Sequence, residues 1–135
     1  MSESTKPFFL VPDNPSTVKV LEVWSGWGGG EKKTWVVKGF QLTWFNGEHG
    51  RVYKNPDDSD GYDSFEFQSD EKITECNLRS AWRLDKIEFN TSTGRHFAAG
   101  GDGGTLVPRI GQGFLVGLEG QAGWEIDSLD VVKFK

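Results

Sequence analysis

Three stretches of the sequence align with one another without a gap: WVVKGFQL (35–42), WRLDKIEF (82–89) and WEIDSLDV (124–131). All read W-x-h-(K/D)-x-h-x-h, where h is aliphatic or Phe, and the separations are 47 and 42 residues. Internal repetition constrains a fold more than local propensity does, because each copy must make the same kind of unit. Every copy follows a run in which apolar and polar residues alternate: Val18 to Ser25, Ile73 to Ser80 and Phe114 to Glu119. Alternation marks a half-buried strand, so each copy is the second arm of a hairpin. Within the motif the first two apolar positions lie three residues apart instead of two. The inward face therefore changes phase inside the motif, which predicts a bulge or a loop-to-strand transition between those two positions.

Further strands are expected at 51–54 after Asn46-Gly47, at 64–68 after an acidic turn, and at 95–98 after Thr93-Gly94. No helical periodicity extends beyond a turn. A lone hairpin is marginal in water, so three such units must cover one another's apolar faces about a shared axis. The expected architecture is an all-β, three-sheet prism with pseudo-threefold symmetry, and a trefoil is its competitor. With 135 residues the chain makes one domain, 1–135, with 1–7 a flexible N-terminus.

The remaining features exclude several classes of function. The formal charge is -5 and the basic residues, among them Lys32, Lys33, Lys38, Arg79, Arg83 and Arg109, are scattered, so nucleic acid is a poor partner. No apolar run is long enough to insert into a membrane, and the start lacks the pattern of a signal peptide, so cytoplasmic residence or leaderless secretion is expected. Cys76 cannot form an internal disulfide and is expected to be a packed thiol. With His49 and His96 it gives too few ligands for zinc, and no metal or other cofactor is expected. In NPDDSDGYD (55–63), placing Gly61 as the glycine of a calcium loop puts Pro56 first and Phe67 twelfth, so a solvated turn is the better reading. Neither His has a nucleophile in a recognisable setting. Carboxylates such as Asp127 and Asp130 sit on loops too shallow to distort a sugar, and no enzymatic activity is expected.

The chain resembles the jacalin-related lectins, and is similar especially to the lectin modules of aerolysin-like toxins. The resemblance spans roughly 18–134 through VKVLEVWSG, WVVKGFQLTWFNGEHGRVY, EKITECNLRS, DKIEFNTSTGRHFA, GGDGGT, GFLVGLEGQAG and GWEIDSLDVVKF. It implies a β-prism I fold of three four-stranded Greek-key sheets and reversible, metal-independent binding of a hexose. The matching site residues are Gly123, Trp124, Glu125 and Asp127. Their chemistry is intelligible by itself. A carboxylate at the end of a tight loop can accept from two adjacent hydroxyls, and a glycine lets the backbone come close. The amides at 124 and 125 can donate, and Trp124 offers a face to the C–H side of a pyranose. The bland alternative is a turn whose Asp caps its own backbone.

In the middle copy Ala81 stands where the last copy has Gly123, and Asp85 matches Asp127. Ala81, Trp82 and Asp85, with Asp102 on the GGDGGT loop, are the candidates for a second or accessory site, although for Asp85 a loop-capping carboxylate is the preferred reading. The three repeated Trp are otherwise expected to pack at the core or rim. Lys38 should prevent the first copy from binding in this way. The stretch 8–14, FFLVPDN, departs from the Gly-Gly loop usual in the family's mannose binders, and the Trp27-Gly28-Gly29-Gly30 run, which by alignment lies in the loop before the first-copy Trp, is the candidate substitute. The resulting expectation is a lectin for glycans bearing mannose or galactose, with mannose slightly preferred. A prism that has lost sugar binding and serves oligomerisation or protein interaction is the rival. An exposed strand edge near the N-terminus would suit a homodimer.

Overall fold

The computed structural model describes residues 5–28 and 34–135; Gly29, Gly30, Lys32 and Lys33 lie outside the described residues, as do 1–4. The described residues form eleven strands and no helix: β1 (Lys6–Leu10), β2 (Val18–Trp27), β3 (Trp35–Trp44), β4 (His49–Val52), β5 (Gly61–Glu66), β6 (Ile73–Ser80), β7 (Leu84–Thr91), β8 (His96–Gly100), β9 (Thr105–Val107), β10 (Leu115–Ala122) and β11 (Ile126–Phe134). They assemble as three antiparallel sheets in the orders β4-β3-β2-β5, β8-β7-β6-β9 and β1-β10-β11. The predicted hairpins are β2-β3, β6-β7 and β10-β11. In the first two sheets the chain leaves the hairpin's second arm, adds an outer strand, then crosses to the far side of the first arm, which is the Greek-key path.

The third sheet has three strands, not the expected four. Its order β1-β10-β11 corresponds to β5-β2-β3 and β9-β6-β7. Among the described residues it has no counterpart of β4 and β8, which the chain makes after turning at Gly47 and Gly94, both with positive φ. Strand β1 includes Lys6 and Pro7, opposite Ala122 and Gln121, so paired backbone begins inside the stretch expected to be flexible.

The sheets close on one apolar interior to which every hairpin contributes: Leu21, Val23, Phe40 and Leu42 from the first, Leu84 and Phe89 from the second, Leu118 and Ile126 from the third. Burying each such side chain is worth about 1.5–3 kcal/mol, which is what the separate hairpins lack. Phe65, Phe67, Phe89 and Phe97 form an aromatic cluster between the first two sheets, with ring centroids 4.7–5.8 Å apart. The Trp44 indole N–H donates to the Val116 carbonyl at 2.7 Å, joining the first sheet to the third.

The phase change predicted inside the motif is a bulge at the same place in each copy. Trp24 faces Gly39 and Ser25 faces Val37, so Lys38 has no cross-strand partner. Arg79 and Ser80 face Lys86 and Leu84, omitting Asp85, and Gln121 and Ala122 face Ser128 and Ile126, omitting Asp127. The third copy has one more irregularity: Gly120 faces Leu129 and Glu119 faces Val131, which omits Asp130. This second shift turns Val131 outward to 39% exposure, although Leu42 and Phe89 at the same motif position are buried, and Val132 packs inward instead.

One buried carboxylate fastens the second sheet. Glu71 accepts from Thr91 at 2.6 Å, from Thr93, from the Gln68 amide at 3.0 Å and from the Arg95 guanidinium, which also donates to the Glu66 carbonyl at 2.8 Å. Burial pushes the carboxyl pKa up, but the Arg95, Thr91 and Thr93 hydrogen bonds outweigh it and hold the group down at about 2. Its folded pKa is therefore below the unfolded one, so its stabilisation is complete above about 4.5 and is lost as pH falls toward 2. Glu71→Gln should cost about 1–3 kcal/mol at pH 7. In acid titrations followed by near-UV circular dichroism it should flatten the fall in stability between those two pH values. The Cys76 thiol, raised to about 12 chiefly by burial and next by Glu88, should stay unreactive toward a disulfide reagent until the protein unfolds.

Candidate functional site

The tips of the three hairpins meet, and Arg83 is where they touch. Its Nη1 lies 3.4 Å from Glu125 Oε1 on the third tip, and a Cβ added to Gly28 on the first would fall 2.3 Å from the same nitrogen. The second and third tips close identically, Ala81 N–H to the Arg83 carbonyl and Gly123 N–H to the Glu125 carbonyl, each at 3.0 Å. On the first, Gly28 N–H donates to the Thr34 carbonyl at 2.8 Å, and the Trp35 indole donates to Ser25 Oγ at 3.0 Å with Trp27 edge-on to its ring.

At the third tip the four expected site residues divide by orientation. Gly123 is buried in the turn, and Trp124 is 38% exposed. The Glu125 side chain is buried toward Arg83, so only its backbone faces the turn. Asp127, released from the ladder by the bulge, is half-buried. Its Oδ2 accepts from Thr5 Oγ1 at 2.6 Å, while Lys54 Nζ donates to the Ala122 carbonyl at 3.3 Å. A carboxylate, an ammonium and an indole around one tight turn suit a ligand with several hydroxyls on an apolar ring. Thr5 and Lys54 were not foreseen. They lie 122 and 68 residues from their partners, and no motif marks either.

The middle copy is arranged differently. Asp85 is buried, and Gly103 and Gly104 press on it so closely that an added Cβ would lie 2.8 Å from Oδ2 or 2.7 Å from Oδ1. The loop is held by the Gly101 amide, which donates to the Asp85 carbonyl at 2.7 Å. Among the described residues Asp85 Oδ1 has no hydrogen-bond partner. Burial raises its pKa against the opposing pull of Arg83 and Arg79. Asp102, on the same loop, instead reaches Lys86 at 3.1 Å with its side chain exposed. Ala81 is exposed, and Trp82, expected to pack at the core or rim, is 93% exposed because the three-residue tip carries it past the surface. Of the four residues expected to share an accessory site, Ala81 and Trp82 stand together on the tip, and Asp85 lies beneath the loop.

In the first copy Lys38 is sealed. Its Nζ lies 2.9 Å from Asp60 Oδ1, with both side chains at most 3% exposed, and the Tyr53 hydroxyl donates to the same carboxylate. Burial and then Asp60 push the Tyr53 phenol up to about 12. The acidic stretch is thus not wholly a solvated turn: Asp60 is drawn inward because a buried ammonium requires a counter-charge. A cavity of about 470 Å³ beside Lys19, Phe45, Phe67 and Arg95 lies beyond the far end of β3 and includes no predicted site residue.

A family model described as a jacalin-like lectin domain matches residues 13–132. No curated protein matches the sequence significantly. Among solved structures, a prostate-specific WGA16 glycoprotein lectin superposes with a TM-score of 0.74 at 18% identity, covering 96% of this chain and 91% of that one. The lamprey immune protein gives 0.70 at 26% identity, where 96% of this chain corresponds to 44% of that protein. The Calystegia sepium (Calsepa) lectin, solved in complex with a bisected glycan, gives 0.67 at 19% identity, with 100% and 99% covered. These likenesses show the prism fold.

The strain at Asp85 is measurable. Its folded pKa lies above the unfolded one, so its charged form destabilises the fold increasingly as pH rises above the ordinary carboxylate range. Asp85→Asn should raise the melting temperature at pH 7, and the gain should shrink toward pH 3, as read by calorimetry at both pH values.

Proposed function

Since the chain belongs to the jacalin-like lectin domain family and is a carbohydrate-binding protein, we propose that it binds a hexose reversibly at the tip of its third hairpin. In this reading Asp127 accepts from two adjacent hydroxyls. The backbone at Trp124 and Glu125 donates to the ring and hydroxymethyl oxygens, and the Trp124 ring covers the apolar side of the sugar. Gly123 permits the close approach. The observation that carries the reading is a comparison within the molecule: of the three bulge residues, Lys38 and Asp85 are buried while Asp127 stays within reach of solvent. Two hydrogen bonds to a charged acceptor, each worth about 1.5–3 kcal/mol before offsetting costs, support roughly millimolar affinity for a monosaccharide.

Mannose-type glycans are favoured slightly over galactose, in line with the mannose-binding lectin from Champedak among the structural neighbours at 19% identity. Trp82 is the accessory contact of this site, because Arg83 and Glu125 tie its tip to the third. It meets the next residue of a longer glycan, with Ala81 beside it. Asp85 and Asp102 would join only if the loop over Asp85 moved.

One observation favours the rival scaffold reading: among the described residues β11 pairs on one side only, and its long free edge suits strand pairing with another chain. Titration with methyl mannoside and methyl galactoside, alongside a glycan array, separates the two. The lectin reading expects saturable binding that Asp127→Ala weakens at least about tenfold with the fold unchanged. Absence of any binding by the parent at tens of millimolar sugar would leave the scaffold.

A further inference from the structure

Strands β5, β9 and β1 hold the same place in their sheets, each beside the first arm of a hairpin: β2, β6 and β10. The residue immediately before each of these strands is Asp60, Gly104 and Thr5. All three reach the bulge residue of their own sheet. Asp60 Oδ1 lies 2.9 Å from Lys38 Nζ, a Cβ on Gly104 would lie 2.7 Å from Asp85 Oδ1, and Thr5 Oγ1 lies 2.6 Å from Asp127 Oδ2. The contacts are therefore equivalent by position in the fold as well as by partner. They differ in outcome. The first two bury the bulge residue, by an ion pair and by close glycine backbone, whereas Thr5 touches Asp127 through one hydroxyl and leaves it half-buried.

We infer that the segment leading into each of these strands decides whether its copy is open, and that Thr5 occupies Asp127 in place of a ligand hydroxyl and competes with the sugar. The inference rests on the reading of Asp127 as the sugar acceptor. The chemistry is an exchange of like for like. Threonine carries a secondary alcohol, as a pyranose ring does, and a sugar hydroxyl that approaches Oδ2 from the side Thr5 occupies must displace it. The sugar then gains one net hydrogen bond to the carboxylate instead of two, and the N-terminal arm sets the affinity of the site from outside the loop that forms it.

Thr5 is exposed, so its substitution can be made without opening the core. Thr5→Val keeps the shape and removes the donor, and Thr5→Ser keeps the donor. Full-length parent, both variants, Asp127→Ala and the Thr5→Val/Asp127→Ala double variant are titrated with methyl mannoside and methyl galactoside by calorimetry. Competition predicts that Thr5→Val binds about threefold to tenfold tighter than the parent, as expected for releasing one exposed charge-assisted hydrogen bond. Thr5→Ser should match the parent, and the double variant should bind no better than Asp127→Ala. Binding by Thr5→Val alone, with the parent silent, supports the inference as well. If the parent binds through Asp127 but Thr5→Val is unchanged or weaker, competition is overturned and the sugar site stands. If neither the parent nor Thr5→Val binds at tens of millimolar sugar, the proposed function fails and takes the competition with it.

Discussion

The prism depends on three hairpins hiding one apolar face each against the other two. A pair of strands with one greasy side has no stable existence in water, and no hairpin here has a helix or a second layer of its own to cover it. The contributions of Phe40, Phe89 and Leu118 to one interior, from three different sheets, meet that requirement. Closure about a common axis also gathers the hairpin tips, which is why Gly28, Arg83 and Glu125 meet although they are far apart in sequence.

The bulge in each second arm places one side chain outside the ladder beside a tip, where its charge must be dealt with locally. The three copies do this in three ways on nearly the same backbone. Lys38 is neutralised by Asp60. Asp85 is covered by glycine backbone, and its pKa rises in consequence. Asp127 keeps its contact with solvent and takes one hydroxyl from Thr5. Symmetry of the chain path thus coexists with asymmetry of charge, and the chemistry of the molecule resides in that asymmetry.

Much of this was legible in the sequence because it is periodic. The W-x-h-(K/D)-x-h-x-h repeat marks the three second arms, and its three-residue step marks a phase change that the structure resolves as a bulge at Lys38, Asp85 and Asp127. The position of Gly123 and Trp124 on a tip follows from the same alignment. What stayed hidden arises from pairings with no periodicity. The inward turn of Asp60 answers a buried lysine on another strand, and the cover over Asp85 depends on glycines having no side chain. The outward turn of Val131 comes from a second bulge that the other copies lack. Thr5, just before strand β1, gives Asp127 a partner across 122 residues, a separation at which no local pattern can be read.

The sealed state of Lys38 and Asp85 has a consequence for what one chain can do alone. A protein with three equivalent open tips would be trivalent and would cross-link particles carrying its ligand. With two bulge positions filled by the protein's own residues, the reading of Asp127 as the sugar acceptor makes a single chain monovalent, and bridging two surfaces becomes a property of paired chains.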